Sequence, residues 1–199
     1  NGANWNNVGG GLPSDVYSLI SSGTNLIAGT SNGIYLSTNN GTNWTTGGLD
    51  TLSIRTVAAL GTNWYAGTLW GEGIYLSTNN GINWTIANNG LTSKNVNIIA
   101  TSGTNLFAGT SNNKAIGGVF ISSNSGTSWA EINNGLTSQT STVMAVSGTN
   151  VFTGTTGGMF LSTNNGTNWS SINNGLTDLS ISTLIVSGTS LYAGTWGNG

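Results

Sequence analysis

The stretch Ser37-Thr-Asn-Asn-Gly-Thr-Asn-Trp44 is the strongest indication of the fold, because it recurs as Ser77 to Trp84, Ser122 to Trp129 and Ser162 to Trp169. Two shorter landmarks recur in the same order. A Gly-Thr step begins at Gly29, Gly67, Gly109, Gly154 and Gly194, and a Gly-Leu step ends at Leu12, Leu49, Leu91, Leu136 and Leu176. A repeat of about 40 residues indicates a repeat architecture, which has to be recognised before the individual elements are assigned.

Each unit reads as a small sheet. The first predicts four short strands, at Val16–Ser21, Asn25–Thr30, Ile34–Thr38 and Asn43–Thr46, with turn residues between them. Apolar side chains occur on both faces, as expected of a sheet that is covered on both sides. Radial stacking of such sheets gives a propeller, whereas β-helix rungs are shorter and helical repeats need a 3.6-residue period. The sequence predicts an all-β fold, a β-propeller of about five four-stranded antiparallel blades in one domain over residues 1–199.

The ends of the chain predict an unusual fifth blade. Asn1-Gly-Ala-Asn-Trp5 matches the tail of the recurring stretch followed by a fourth strand, and the chain ends at Gly199 after a second strand. Joined in a ring, the ends would share a blade that lacks its third strand. The chain would then be a segment of a longer propeller, a ring that closes imperfectly, or a ring completed by a strand from another subunit.

The recurring pattern Ser-x-Asn-x-Gly-x-x-Trp closely resembles the Asp-box, or BNR, repeat of sialidase-like and sortilin-like propellers. Asparagine stands where that family usually has aspartate. The resemblance covers nearly the whole chain and implies a hairpin between the third and fourth strands of each blade. The corresponding residues are Ser37, Asn39, Gly41, Trp44, Ser77, Asn79, Gly81, Trp84, Ser122, Asn124, Gly126, Trp129, Ser162, Asn164, Gly166 and Trp169.

The chemistry of these residue types agrees with a turn. Ser37 and Asn39 can bond backbone amides, Gly41 permits a positive φ, and Trp44 can cover the turn. Because the motif is present in blade after blade, we interpret it as structural. Asparagine keeps the acceptor oxygen of aspartate without its titration, so we expect a fold that is only weakly sensitive to acid and salt.

The composition excludes several classes of function. Charged residues make up 4% of the chain, against about 25% in an average domain. With a net charge of −2, neither nucleic acid nor membrane insertion is expected. The chain has no cysteine and no histidine, so no metal site and no cofactor are predicted.

The sequence also predicts that the protein is not an enzyme. Sialidases use an arginine triad, and Arg55 is the one arginine of this chain. Glycoside hydrolysis by paired carboxyl groups would have to use acids that we expect on separate loops, namely Asp15, Asp50, Glu72, Glu131 and Asp178. A degenerate hydrolase is a remote alternative.

Four residues are candidates for ligand binding. Trp70 and Trp196 follow the Gly-Thr step on glycine-flanked loops, where each could present a platform to a sugar ring or pack on a neighbouring blade. Glu72 could supply hydrogen bonds, and Lys114 lies in the longest departure from the repeat, Ser111 to Gly118.

We therefore expect a structural or interaction module that is extracellular or on the cell surface. Its expected partners are further copies of itself, in an array or fibre, or other surface proteins and glycans. A lectin-like glycan binder that uses Trp70 and Trp196 is the alternative.

Overall fold

The computed structural model describes residues 9–13, 15–111 and 117–197. Their strands form five antiparallel sheets, four with four strands and one with two. Blade 1 contains β1 (Val16–Ser22), β2 (Asn25–Thr30), β3 (Gly33–Ser37) and β4 (Thr45–Thr46). Blade 2 contains β5 (Ile54–Leu60), β6 (Asn63–Thr68), β7 (Ile74–Ser77) and β8 (Thr85–Ile86). Blade 3 contains β9 (Asn95–Ser102), β10 (Asn105–Ser111), β11 (Gly118–Ser122) and β12 (Ala130–Glu131). Blade 4 contains β13 (Ser141–Ser147), β14 (Asn150–Thr155), β15 (Gly158–Ser162) and β16 (Ser170–Ser171), and blade 5 contains β17 (Ile181–Ser187) and β18 (Ser190–Thr195).

The blades are arranged around an axis lined by their first strands. β1 contacts β5, β5 contacts β9, β9 contacts β13 and β13 contacts β17. The two-residue fourth strands are exposed and lie outermost. Among the described residues, β1 and β17 do not pack on each other in this way, so these sheets form an open arc.

The hydrophobic core lies between the blades. Val57 of blade 2 packs in a cluster with Ile27 and Ile34 of blade 1, and Met144 of blade 4 packs in a cluster with Phe107 of blade 3. Stacking therefore buries the apolar groups on the sheet faces where two blades meet.

The predicted all-β propeller fold is confirmed. The prediction for β2 matches the structure, whereas the fourth strand predicted at Asn43–Thr46 is limited to Thr45–Thr46. The Asn43 amide is bonded to the Asn39 side chain and is not available to a strand partner. The Trp44 amide donates to the carbonyl of Gly10 over 3.2 Å, outside the pairing with β3.

The fifth blade has two strands among the described residues, and the fourth strand predicted near Trp5 lies outside them. In blade 4, Thr155 at the end of the second strand donates from its hydroxyl to the carbonyl of Gly158 in the third strand, over 2.8 Å. Thr195 occupies the same position in blade 5, and its buried Oγ1 has no partner among the described residues. No helix in the described ranges is long and apolar enough to cross a bilayer.

Candidate functional site

The antiparallel topology separates two faces of the arc. We call the face with the connections from second to third strands and from fourth to first strands the loop face, and the opposite face, with the recurring hairpins, the box face. Apart from Glu131 on β12, every charged residue that the structure describes lies at the loop face, in its connections or at the start of a first strand. The hairpins of the box face carry Asn, Thr, Ser and Gly, so specific chemistry concentrates at the loop face.

Each hairpin of the box face is held by side chains of its own stretch. In blade 2, the buried Ser77 hydroxyl accepts from the Gly81 amide over 2.9 Å and donates to Asn79 Oδ1 over 3.0 Å. The same Asn79 oxygen accepts from the Asn83 amide over 2.9 Å. These bonds satisfy turn donors that no strand partner reaches.

In blades 2, 3 and 4, the tryptophan that ends the stretch also ties its blade to the preceding one. The indole of Trp84 donates to the carbonyl of Gly47 over 2.8 Å, that of Trp129 to Ala87 over 2.9 Å, and that of Trp169 to Ile132 over 2.6 Å. The described bonds of the recurring residues thus hold turns and blades together.

The loop face carries a feature that the sequence does not reveal. The pairing of the first and second strands shifts register near the start of each first strand, which inserts an extra residue there. These extra residues are Tyr17, Arg55, Asn97, Thr142 and Ser182. Such a bulge re-aims a side chain and is common beside functional sites.

The bulge residues have two different roles. Asn97 donates to the carbonyl of Ser141 over 2.8 Å, and Thr142 donates to that of Ile181 over 2.9 Å, so both bind the next blade. Arg55 is exposed instead and lies 5.7 Å from the centre of the Tyr17 ring, a cation–π contact. None of the described residues forms an ion pair with Arg55.

Trp70 projects from a tethered loop. Its side chain is 74% exposed. The Gly73 amide donates to Thr68 Oγ1 over 2.8 Å and to the Lys94 carbonyl over 3.1 Å. Asn88 donates to the carbonyl of Glu72 over 2.7 Å. The backbone around Trp70 is therefore fixed although its ring is open to solvent.

A groove of about 220 Å³ adjoins this loop. It is lined by Gly71, Thr92, Lys94, Asn95 and Ser111, from blades 2 and 3. Of the predicted candidates, Glu72 directly follows the lining residue Gly71 in the chain. Burial raises the pKa of Tyr75, and the negative charge of Glu72 raises it further. Sequence reasoning missed Lys94, Asn95 and Ser111, because their connection to the Trp70 loop arises from blade packing.

Trp196 lies at the same face but in a different setting. It is 79% exposed on blade 5, and its amide donates to the Ser180 carbonyl over 3.0 Å. In blade 2 that bond is made by Leu69, so Trp196 and Trp70 occupy successive positions of the repeat rather than equivalent ones. The fourth candidate, Lys114, lies outside the described residues.

The acids of the loop face are dispersed over several blades. Asp50 accepts from Thr46 Oγ1, and Asp178 accepts from the Ser180 amide over 2.8 Å. Within the described ranges, no group of three or more acidic, histidine or cysteine residues is placed to hold a metal ion.

No family model and no curated protein matches this chain. Solved structures do match. An ancestral GH74 enzyme is 24% identical, with a TM-score of 0.71 over 89% of this chain and 26% of that chain. YCF48, solved with a bound D1 peptide, is 16% identical, with a TM-score of 0.71 over 93% of this chain and 63% of that chain. The extracellular domain of a two-component-system protein from B. thetaiotaomicron is 13% identical, with a TM-score of 0.67 over 92% of this chain and 27% of that chain. The chain thus spans less than two thirds of each.

The prediction that the protein is not an enzyme is wrong, because GH74 glycoside hydrolases share this fold. The same finding does not show that this chain is catalytic. The missing arginine triad speaks against sialidase chemistry alone, and hydrolytic propellers are not limited to it. The peptide-bound YCF48 and the extracellular domain use the same fold, which is consistent with an interaction module. A fold transfers none of these activities by itself. The chain is a β-propeller, and its function has to be argued from the loop face.

Proposed function

We propose that this chain is a glycan-binding propeller module whose loop face takes a sugar chain along the groove beside Trp70. The observation that carries the proposal is a tryptophan with 74% of its surface exposed on a loop that is held by backbone hydrogen bonds. An indole held open in this way can stack on the apolar face of a sugar ring without an ordering cost for the loop.

The groove supplies polar groups suited to sugar hydroxyls. Lys94, Asn95 and Ser111 contribute donors and acceptors around a volume of about 220 Å³. The similarity to a GH74 enzyme, a glycoside hydrolase, supports a saccharide as the class of ligand. Glu72 and Trp196 belong to the same proposal as further contacts on this face, and Lys114 as a contact outside the described residues.

The test is binding of a panel of soluble polysaccharides, measured by isothermal titration calorimetry. Trp70→Ala is expected to weaken binding about tenfold or more, equivalent to roughly 1.4 kcal/mol. Ile82→Ala is the matched control, because Ile82 is 77% exposed on the box face. Reducing ends are measured in the same samples, so hydrolysis would be detected directly. Absence of binding to the whole panel, or equal binding by Trp70→Ala, would contradict the proposal.

We further propose that the recurring stretch is a variant Asp-box and that the module acts outside the cell, where it associates with copies of itself. The bonds made by Ser77 and Asn79 support the motif, and the similarity to an extracellular domain supports the location. Export is tested by expressing the complete gene in its host and probing intact cells with antibody. Signal confined to lysed cells would contradict an extracellular location.

A further inference from the structure

The blades stack through two different faces. We call the face that a blade turns to the preceding blade its leading face, and the face that it turns to the following blade its trailing face. On the leading face, Val57, Ile99 and Met144 occupy one position and are 5%, 4% and 7% exposed. On the trailing face, Tyr65 and Phe107 are both 0% exposed.

The two end blades leave one of each face uncovered. Leu19 holds the position of Val57 on the leading face of blade 1 and is 57% exposed. Tyr192 holds the position of Tyr65 on the trailing face of blade 5 and is 59% exposed, beside Ile185 at 62%. The arc therefore presents an apolar leading face at one end and an apolar trailing face at the other.

The residues that fit together between internal blades have counterparts on the two uncovered faces. The second-strand glycine of a blade packs against one residue of the next blade, the residue immediately before the extra residue of the first strand. A Cβ on Gly67 would lie 2.6 Å from Val96, and one on Gly154 would lie 2.6 Å from Ile181. Gly194 of blade 5 meets atoms of its own blade alone among the described residues, and Val16, the counterpart of Val96 in blade 1, is 43% exposed.

The donor and the acceptor of a hydrogen bond between blades also have counterparts on the uncovered faces. The Val57 amide donates to Ser18 Oγ of the preceding blade, and the Ile99 amide donates to Thr56 Oγ1, both over 3.1 Å. Thr183 of blade 5 holds the position of Ser18 and Thr56 and is exposed. Its hydroxyl is placed to accept from the Leu19 amide of an added blade.

We propose, as the mode of the self-association proposed above, that the trailing face of blade 5 binds the leading face of blade 1 of a second copy of this chain. The partner is a second copy because each group on one face has its counterpart on the other, as between successive internal blades. Val16 would pack on Gly194 and Leu19 on Tyr192. The Leu19 amide would donate to Thr183. The two faces differ, so the interface is heterologous, and copies add head to tail into a closed ring or a filament. With a net charge of −2, little repulsion opposes contact.

Sedimentation velocity over a range of concentrations tests this interface. The unmodified chain is expected to form dimers or larger species as concentration rises. Leu19→Lys and Tyr192→Lys should each be monomeric, because one of the two faces is blocked. An equimolar mixture should form a one-to-one dimer, since each variant retains the face that the other lacks. Ile82→Lys, changed at an exposed residue of the box face, should associate like the unmodified chain.

Cross-linking supplies a second measurement. The chain has no cysteine, so mixing Leu19→Cys with Tyr192→Cys should yield a heterodisulfide that exceeds either homodisulfide. Monomers at every concentration, a mixture that stays monomeric, or association that survives both lysine variants would overturn the proposal. None of the substituted residues lines the Trp70 groove, so glycan binding and head-to-tail association succeed or fail separately.

Discussion

At the scale of single residues, the hairpins depend on oxygen acceptors rather than on charge. Asn79 Oδ1 accepts from both Ser77 Oγ and the Asn83 amide. Either aspartate or asparagine can provide that acceptor. Ser77 is less replaceable, since its buried hydroxyl both accepts from Gly81 and donates to Asn79. The recurring serine is therefore the stricter requirement of the turn.

This difference predicts opposite outcomes for two neighbouring substitutions. Asn79→Asp should leave the free energy of unfolding at pH 7 within about 0.5 kcal/mol, because both bonds persist. Ser77→Ala should lower it by about 1–3 kcal/mol, because the Gly81 amide loses its acceptor. Urea denaturation measures both, with the exposed Thr78→Ala as control. A loss in Asn79→Asp as large as in Ser77→Ala would show that the side-chain amide itself is required.

At the scale of elements, a blade is completed by its neighbours. Trp129 is 5% exposed and donates from blade 3 to the carbonyl of Ala87 in blade 2. Trp84 makes the equivalent bond between blades 2 and 1, and Trp169 makes it between blades 4 and 3. The tryptophan therefore links consecutive sheets as well as lying beside its own turn.

Trp129→Phe tests this link, because it keeps an aromatic ring and removes the donor. Its free energy of unfolding in guanidinium should fall by about 1–3 kcal/mol, since the Ala87 carbonyl is left without its partner. Trp70→Phe, at an exposed loop position, should change stability by less than about 0.5 kcal/mol. Equal losses in the two variants would contradict a specific role for the bond between blades.

The sequence predicts the repeating elements better than the places where they differ. Blade number and β2 follow from the spacing of the serine-to-tryptophan stretch and the Gly-Thr step, because every blade needs the same turns. The bulges cannot be recognised in the pattern of apolar residues. The sequence therefore does not indicate that Arg55 is exposed whereas Asn97, at the same position of the next blade, bonds its neighbour. Lys94 and Ser111 were missed as groove residues for a related reason, since a groove between blades brings together residues distant in the chain. Trp70 is a candidate from sequence because its glycine-flanked loop departs from the repeat, and its role in binding stays a prediction.

For the molecule as a whole, the scarcity of charged residues predicts a stability that changes little between neutral and acidic pH. No ion pair joins any two residues in the described ranges, and asparagine replaces aspartate in the hairpins. Protonation of all five carboxyl groups would leave three Lys and Arg charges over 199 residues, too few for strong self-repulsion. Between pH 7 and pH 3, Tm should change by no more than about 2–4 °C, or roughly 1 kcal/mol. A steep fall measured by scanning calorimetry would reveal carboxylates that matter to the fold.

Stability should depend more strongly on pH in the alkaline range, because the phenol of Tyr65 is buried. Burial raises the pKa of Tyr65 above 10.0, while its hydrogen bonds act in the opposite direction. The unfolded chain loses this phenolic proton at lower pH than the folded chain does. The contribution of Tyr65 to the free energy of unfolding is therefore complete below about pH 10 and is lost as pH rises toward the folded pKa.

Tyr65→Phe removes the titrating group together with the bond from Tyr65 Oη to the Ser125 carbonyl, which spans 3.0 Å. The variant should be less stable than the unmodified chain at pH 8 and should lose less stability between pH 9 and pH 11. Parallel alkaline limbs in the two proteins would assign the loss to other groups, of which Tyr75, with its pKa also raised by burial and by Glu72, is the next to substitute.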